Sequence, residues 1–259
     1  MSSSSYDRSR VVKQVKMVSA SSIEDYLIEA EISESKLLEE IDSEVKRIYT
    51  SDDITRVMKR FRRNKKVSDS MIEDLEGLIE ARVAPSNELW KLLGKNVKKR
   101  QTDLENILSL LAPQRTFQFD KSLELETVKY QRQQMNDYWD KETSRFRSDM
   151  SKSIRESIRQ DLSVEETATL IQARTGVSQS RSLLIARDQT LKAGARVSEM
   201  QQKRLGLTHF KWRTQRDDRV GEDHQVKDGK VYLWNSSVEK PGNASRPNCR
   251  CIALPHLID

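Results

Sequence analysis

The stretch WRTQRDDRVGEDHQVKDGKVYLW, from Trp212 to Trp234, is the most distinctive part of this chain, together with PGNASRPNCRCIALP, from Pro241 to Pro255. Both lie in the segment from His209 to Asp259, which holds all three histidines, both cysteines and three of the five prolines. Residue types that ligate metals or make tight turns are therefore concentrated in one place. This concentration predicts a separate module.

The hydrophobic pattern of this segment is typical of β-structure. Phe210 and Trp212 alternate with polar neighbours, which is the period of a half-buried strand. Asp228-Gly229 lies between Val226 and Val231 and is a hairpin signal, because these residue types accept the backbone conformations of a tight turn. We expect the large aromatic side chains to supply the core of this small sheet.

The residues before the module have helical periodicity, with apolar side chains recurring at intervals of three and four. Pro85 and Pro113 end two of the helical segments, because the proline ring removes a backbone donor and constrains the residue before it. Ser22 with Asp25 has the spacing of a capping box at the first segment. The four segments begin at Ser22, Ser51, Ser68 and Ser86 or Asn87.

Three further helices are predicted before the β-containing tail. No proline or glycine interrupts the chain from Asp120 to about Leu162, so this stretch predicts one long helix. A Ser-X-X-Glu capping box at residues 163–166 begins a short helix that ends at Gly176. Ser178 then begins another helix, which Gly206 closes.

Together these patterns predict a mainly α protein, a helical bundle with long helices, plus a small C-terminal α+β module with a β-hairpin. The predicted organisation is a mobile arm over residues 1–20, a helical bundle over 21–150 and the module over 151–259. Within the module, helices run to about residue 206 and the β-containing tail spans 207–259.

Composition narrows the class of protein. Hydrophobic residues make up 36% of the chain and charged residues 33%, which predicts a lean core with helical faces left for partners. Two cysteines agree with a reducing compartment. We find no signal-peptide pattern and no window near the roughly 18 apolar residues of a membrane helix, so no membrane association is expected. The net charge of +6 favours polyanionic partners weakly.

Cys249, Cys251 and His224 are the candidate metal ligands, and zinc is the candidate cofactor. Zinc takes thiolate and imidazole ligands tetrahedrally, and a small β-module lacks a large core of its own. Side chains two residues apart in an extended chain lie on the same face but about 6.6 Å apart, which is too far for the close Cβ approach of a disulfide between them. The alternative is a pair of buried thiols beside a hydrogen-bonded histidine. The candidates for a fourth ligand are Asp218, Asp228, His209 and His256.

A second hypothesis for the same residues is hydrolytic. Asp217, Asp218 and Asp223 lie close to His224 in the sequence, and carboxylates beside an imidazole are the usual acid-base groups. The same aspartates fit a turn with its own salt bridge equally well. No nucleophile motif or glycine-rich phosphate loop accompanies them, so we expect no enzyme.

A basic run in the helical half is the candidate surface for nucleic acid or a protein partner. Such charge density can neutralise phosphates without reading base sequence, although a solvated helix end has the same composition. A further basic stretch follows near residue 98. The residues concerned are Lys59, Arg60, Arg62, Arg63, Lys65, Lys66, Lys98, Lys99 and Arg100. The partner predicted from charge alone is nonspecific double-stranded DNA.

The C-terminal stretch resembles the phage Mu F-like head-morphogenesis family of minor head proteins, over about residues 150 to 259. The Ala186-Arg187-Asp188-Gln189-Thr190 stretch is similar to the family's helix before the module. One departure is Gly221, where the family usually carries a second arginine. The motif residues that carry the resemblance are Trp212, Asp218, Arg219, Val220, His224, Asp228, Gly229, Val231, Tyr232, Pro241, Gly242, Cys249, Arg250 and Cys251.

The resemblance implies a few-copy protein of the virion interior near the portal vertex, present in the host cytoplasm during assembly. It would bind the portal protein during procapsid assembly, with the major capsid or scaffolding protein as further candidate partners, and would be associated with DNA packaging or ejection. Two alternatives stay open at this point. One is a hydrolase-type enzyme or effector that uses the His/Cys/Asp cluster, and the other is a zinc-containing nucleic-acid-binding module.

Overall fold

The computed structural model describes residues 20–49, 70, 72–74, 76–77, 83–243 and 246–258. Residues 1–19 of the predicted arm and the helix expected from Ser51 lie outside these residues, as does most of the helix expected from Ser68, whereas Ala20, the last residue of the predicted arm, is helical. None of the described helices is long and apolar enough to cross a membrane. The elements in chain order are α1 (Ala20–Tyr49), α2 (Asn87–Leu111), α3 (Ser122–Arg159), α4 (Val164–Arg204), β1 (His209–Arg213), α5 (Glu222–Gln225), β2 (Val231–Leu233) and β3 (Ile252–His256).

Local signals set most of the helix ends. The Ser86 side chain accepts a hydrogen bond from the backbone N–H of Leu89 at 3.2 Å and caps α2. Ser163 and Glu166 form the predicted capping box, with both reciprocal hydrogen bonds present. Gly206 follows α4 at φ +79°, the left-handed conformation that closes a helix. The described part of α1 begins at Ala20, so Ser22, the predicted start, lies within the helix.

The prediction of two helices on either side of Gly176 is wrong, because α4 runs unbroken from Val164 to Arg204. Ser178 caps nothing. Its buried hydroxyl donates to Glu142 Oε1 of α3 at 3.1 Å and hydrogen bonds with the hydroxyl of Tyr49 in α1 at 3.0 Å. Packing against two neighbouring helices therefore outweighs the roughly 1 kcal/mol that an interior glycine costs a helix.

All four long helices contribute to one hydrophobic core. It contains Ile41 and Val45 of α1, Leu93 of α2, Trp139 of α3 and Val197 of α4. The pair α3 and α4 makes the most extensive contact among the elements. The predicted boundary between bundle and module, near residue 150, lies inside α3. Helices on both sides of it share one core.

The described residues form a three-stranded antiparallel sheet in the order β2-β1-β3. In β1, Phe210 lies opposite Tyr232 of β2 and Pro255 of β3. The sheet has its own small core, in which Phe210 packs on Trp234 with ring centroids 4.4 Å apart. The other buried members of this core are Trp212, Cys249, Cys251 and Ala253.

The Asp228-Gly229 signal marks a turn but not a two-residue hairpin. Val226 follows the short helix α5, and the strand that pairs with β2 is β1, on the other side of residues 214–230. The turn still belongs to the sheet, because the N–H of Gly229 donates to the carbonyl of Trp212 at 2.8 Å. The long loop between β1 and β2 contains α5, which lies beside the cysteines.

Candidate metal centre

Two segments bring His224, Cys249 and Cys251 together. His224 lies in α5, and the two cysteines lie in the return that leads into β3. Asn248 takes a left-handed conformation at φ +56°, which turns the chain immediately before Cys249. The two thiols are free.

The ligand atoms of this cluster face one another in the interior. His224 Nδ1 lies 3.6 Å from Cys249 Sγ and 3.5 Å from Cys251 Sγ. The exposed fraction is 2% for His224 and 7% for each cysteine. The sequence hypothesis that these three residues converge is therefore met in the fold.

The second ring nitrogen of His224 is held by a carboxylate. His224 Nε2 lies 3.1 Å from Glu239 Oε1, and Lys227 Nζ donates to the same oxygen. The hydrogen bonds with Lys227 hold the pKa of Glu239 below its usual range, so this residue is an anion that accepts the Nε2 proton. Trp212 meets the imidazole edge-on, with ring centroids 5.2 Å apart. Glu239 was missed by sequence reasoning, since it belongs to no motif.

The two thiols differ in acidity. A hydrogen bond with the Cys251 thiol lowers the pKa of Cys249 to about 6, against the opposing effect of burial. The same hydrogen bond, together with burial, raises the pKa of Cys251. Cys249 is thus the thiol that loses its proton first, and its thiolate accepts the remaining proton of the pair.

A cavity of about 300 Å³ lies against the cluster, and His224, Cys249 and Cys251 are part of its wall. Four arginines, Arg187, Arg219, Arg246 and Arg250, also line it. Each pairs with a carboxylate. Arg219 and Arg250 share Asp217, Arg246 pairs with Asp223, and Arg187 pairs with Asp42 of α1. Four guanidinium groups against three carboxylates leave the wall cationic.

The aspartates of the hydrolytic hypothesis are engaged in these ion pairs. Asp217 accepts hydrogen bonds from both Arg219 and Arg250, and these outweigh burial to keep its pKa below the usual range. Asp223 lies 3.6 Å from His224 Nε2 and 3.3 Å from Arg246 Nη1. His224 Nε2, the nitrogen that a hydrolytic mechanism would use as a base, is therefore already hydrogen-bonded to Glu239 and lies beside Asp223.

None of the four candidates for a fourth ligand belongs to the three-residue cluster among the described residues. His209 and His256 lie opposite each other at the end of the β1–β3 ladder, with ring centroids 6.4 Å apart. His256 is five positions along the chain from Cys251, which is about 16 Å at strand spacing. Asp228 instead accepts from the N–H of Thr214 at 2.8 Å and pairs with Arg216.

Other motif residues attach this module to the bundle. Asp188 of α4 accepts the backbone N–H of Asn248 at 2.9 Å, directly before the cysteines. Gly242 has φ +72°, and a Cβ there would lie 2.7 Å from Ala195 Cβ of α4. Gln202 of α4 donates to the carbonyl of Ala253 at 2.8 Å. The Asp188 and Pro-Gly elements of the motif are thus explained by packing of the tail on α4.

At Gly221, where the sequence departs from the family pattern, the side chain of Arg246 fills the space of the missing side chain. A Cβ at residue 221 would coincide with the guanidinium group of Arg246, which reaches back from the loop before Cys249. The family's second arginine is missing from the sequence position, but a guanidinium group occupies that space.

The basic residues are distributed differently from the predicted surface. Lys59, Arg60, Arg62, Arg63, Lys65 and Lys66 lie outside the described residues. Lys98 is exposed on α2, whereas Lys99 pairs with Asp103 at 2.9 Å and Arg100 pairs with the buried Glu34 of α1. The charges of Lys99 and Arg100 are therefore used within the bundle.

The part of the chain that holds the cysteine-histidine cluster matches a known protein family. Residues 148–254 match the family described as Phage Mu protein F like protein, a range that begins within α3 and ends within β3. An uncharacterized protein of Haemophilus influenzae is 29% identical over 112 residues, which are 42% of this chain and 23% of that protein. The match thus spans about a quarter of that relative's length. No solved structure matches the chain significantly. Residues 148–254, which hold α4, most of the sheet and the cysteine-histidine cluster, are thus the part of the chain that is similar to the phage Mu F-like family.

Proposed function

We propose that this chain is a phage minor head protein, a few-copy component of the capsid interior that binds the portal protein during procapsid assembly and is associated with DNA packaging or ejection. The family match indicates a role in head morphogenesis, and it is the observation that carries the proposal. The family is structural, which favours an assembly role over catalysis. The structure adds that the family module is joined to a bundle of long helices.

An exposed apolar stripe on α4 is the surface that we assign to the partner. Leu170, Val177 and Leu184 recur at intervals of seven residues, so they share one face of the helix. Their exposed fractions are 42%, 42% and 46%. Heptad-spaced apolar residues suit a partner helix packed along α4. The portal protein is the proposed partner, with the major capsid or scaffolding protein as the other assembly components that the stripe could contact.

Co-expression with the portal protein of the same phage tests this assignment. We expect the full chain to co-purify with the portal, and a variant with Leu170→Gln, Val177→Gln and Leu184→Gln to lose most of that association while melting like the parent chain. The matched control replaces two exposed apolar residues of α3, Leu125→Gln and Tyr138→Gln, and should retain binding.

Two outcomes would count against the proposal. Equal retention of the α4 variant would remove the stripe as the contact. A wild-type chain that neither co-purifies with any head component nor occurs in purified particles would overturn the assembly role itself. Reconstruction of particles without imposed portal symmetry would locate the chain and give its copy number.

Association with double-stranded DNA rests on the first basic run. Each phosphate contact contributes about −0.9 to the slope of log affinity against log salt. Neutralising Arg60, Arg62, Arg63 and Lys66 together should therefore reduce the slope by up to about 3.6 units. Neutralising Lys99, which pairs with Asp103 of the same helix, should not reduce it. An unchanged slope in the first variant would assign that run to protein or solvent.

A further inference from the structure

We propose that the chain binds one zinc ion through His224 Nδ1, Cys249 Sγ and Cys251 Sγ, with the fourth coordination position open to the arginine-lined cavity. The proposal does not depend on the role in head assembly, since it follows from the ligand geometry alone. Three observations support it: the distances between the ligand atoms, the hydrogen bond from His224 Nε2 to Glu239, and the surroundings of the thiols.

The separations fit a tetrahedral ion. With Zn–S near 2.3 Å and Zn–N near 2.05 Å, tetrahedral angles place each sulfur about 3.6 Å from the nitrogen. The distances from His224 Nδ1 to the two sulfurs are 3.6 and 3.5 Å. Both nitrogen–sulfur separations are therefore those of zinc ligands, and all three ligand atoms lie within 4.8 Å of one another.

The imidazole is fixed in the tautomer that a metal requires. Glu239 accepts the proton on His224 Nε2 at 3.1 Å, which leaves the lone pair of Nδ1 facing both sulfurs. A carboxylate on the far nitrogen of a ligating histidine orients the ring and raises its basicity, and it is the usual arrangement in zinc sites. Lys227 holds Glu239 in place from the other side.

The thiols lie in surroundings that suit thiolates. Both are free and buried. Arg187, Arg219, Arg246 and Arg250 line the same cavity as the two cysteines, and nearby positive charge favours the thiolate form that zinc binds.

The fourth position faces the cavity. His224, Cys249 and Cys251 form part of its wall, and none of the four carboxylate or imidazole candidates joins them in the described part of the chain. Zinc with three protein ligands completes its coordination with water or another small ligand. The cationic wall favours an anion at that place, so an exchangeable water that anions can displace is the expected fourth ligand.

Metal analysis of the full chain, purified without chelator, is the first test. We expect near-stoichiometric zinc in the parent chain and loss of at least nine-tenths of it in the Cys249→Ser/Cys251→Ser variant. The matched control, His209→Gln/His256→Gln, removes two histidines of the same sheet and should keep the metal. Glu239→Ala should retain the site but weaken zinc about 10- to 100-fold. Parent protein that stays metal-free after incubation with zinc would overturn the proposal whatever the variants do.

Cobalt replacement tests the open position. The cobalt form should show the visible bands of a tetrahedral site and the near-ultraviolet band of thiolate ligation. Added cyanide or azide should shift the visible bands if the fourth ligand is exchangeable water. Spectra that are unchanged by these anions would show a closed site and overturn the open position. Cobalt bands that persist in the cysteine variant would overturn the ligand set.

Discussion

The helical bundle and the β-containing tail are stabilised in different ways. The bundle has helices of 25 to 41 residues and an aliphatic core to which all four contribute. The tail has strands of three to five residues, and its core consists of aromatic rings and two thiols. Long helices bury enough aliphatic surface to stabilise the bundle, whereas the tail must draw its stability from close aromatic packing and the cluster at His224.

The tail also depends on the bundle, while the reverse dependence is smaller. Asp188, Ala195 and Gln202 of α4 each contact a different part of the return that carries the cysteines. Helix α4 in turn has its own contacts with α1, α2 and α3. We expect a defect in the tail to leave the bundle folded, and a defect in the bundle to disturb both regions.

The largest effect is expected from the bundle's buried ion pair. Arg100 of α2 pairs with Glu34 of α1, whose exposed fraction is 6%. Arg100→Met keeps the aliphatic stem but leaves Glu34 buried without its partner, which should cost about 3–5 kcal/mol of unfolding free energy. The control Lys95→Met breaks the exposed pair with Glu40 and should cost less than about 1 kcal/mol. Denaturant unfolding measures both.

The effect of Arg100→Met should also depend on pH. Burial raises the pKa of Glu34 above its ordinary value of 4.5, and Arg100 opposes this increase. A raised carboxyl pKa gives stability that is present below the unfolded value and lost as the pH rises through the folded value. Without Arg100 the pKa rises further, so the destabilisation should be largest at pH 7 and shrink toward pH 4.5. A cost that is independent of pH would contradict a buried, charged Glu34.

The junction between the two regions should give the next largest effect. Gly242→Ala forces a side chain into the left-handed region and places its Cβ 2.7 Å from Ala195 Cβ, which together should cost about 2–4 kcal/mol. Gly206→Ala is the control, because Gly206 has φ +79° but open space around its Cβ position. It should cost only about 1–2 kcal/mol. Equal costs would mean that contact with α4 contributes nothing to the tail.

Sequence patterns predicted the features that local chemistry controls. Pro113 and the Ser86 cap bound α2 as expected, and the capping box at Ser163 begins α4. Convergence of His224 with the cysteines was also expected from the motif. Gly176 was misinterpreted, because the contacts that keep α4 continuous there come from residues 36 and 129 positions away from Ser178. Such distant contacts leave no local signal.

Two features of the tail also left no local signal: the strand pairing around the Asp228-Gly229 turn and the contact of Glu239 with His224. The Asp228-Gly229 turn was predicted, but the strand that pairs with β2 after this turn is β1, and α5 lies between β1 and the turn. Helix α5 has only four residues, too few for a periodicity that predicts it. Glu239 has no distinguishing neighbour in the sequence. It reaches His224 only because the chain after Trp234 folds back over α5, which is a property of loop closure and not of any motif.

Two glycines of α4 should give effects of opposite sign. Gly176 lies inside the helix with open space around its Cβ position, so Gly176→Ala should stabilise the chain by about 0.5–1 kcal/mol. Gly194 is where α2 crosses closely, and a Cβ there would lie 2.7 Å from Arg100 Cγ and 2.8 Å from Asn96 Nδ2. Gly194→Ala should therefore destabilise it. Thermal melts of the two variants give the comparison, and a destabilising Gly176→Ala would indicate that α4 bends there.

The smallest effect is expected where the tail departs from its family. The Arg246 guanidinium occupies the space of a side chain at residue 221, and it is the flexible end of a side chain that is 53% exposed. Gly221→Ala should therefore change the unfolding free energy by no more than about 0.5 kcal/mol. Gly221→Arg alone places two guanidinium groups beside Asp223 and should cost more than the double variant Gly221→Arg/Arg246→Gly, which restores the family's arrangement with a single charge. If the double variant is the less stable of the two, Arg246 has contacts of its own and does not stand in for the missing arginine.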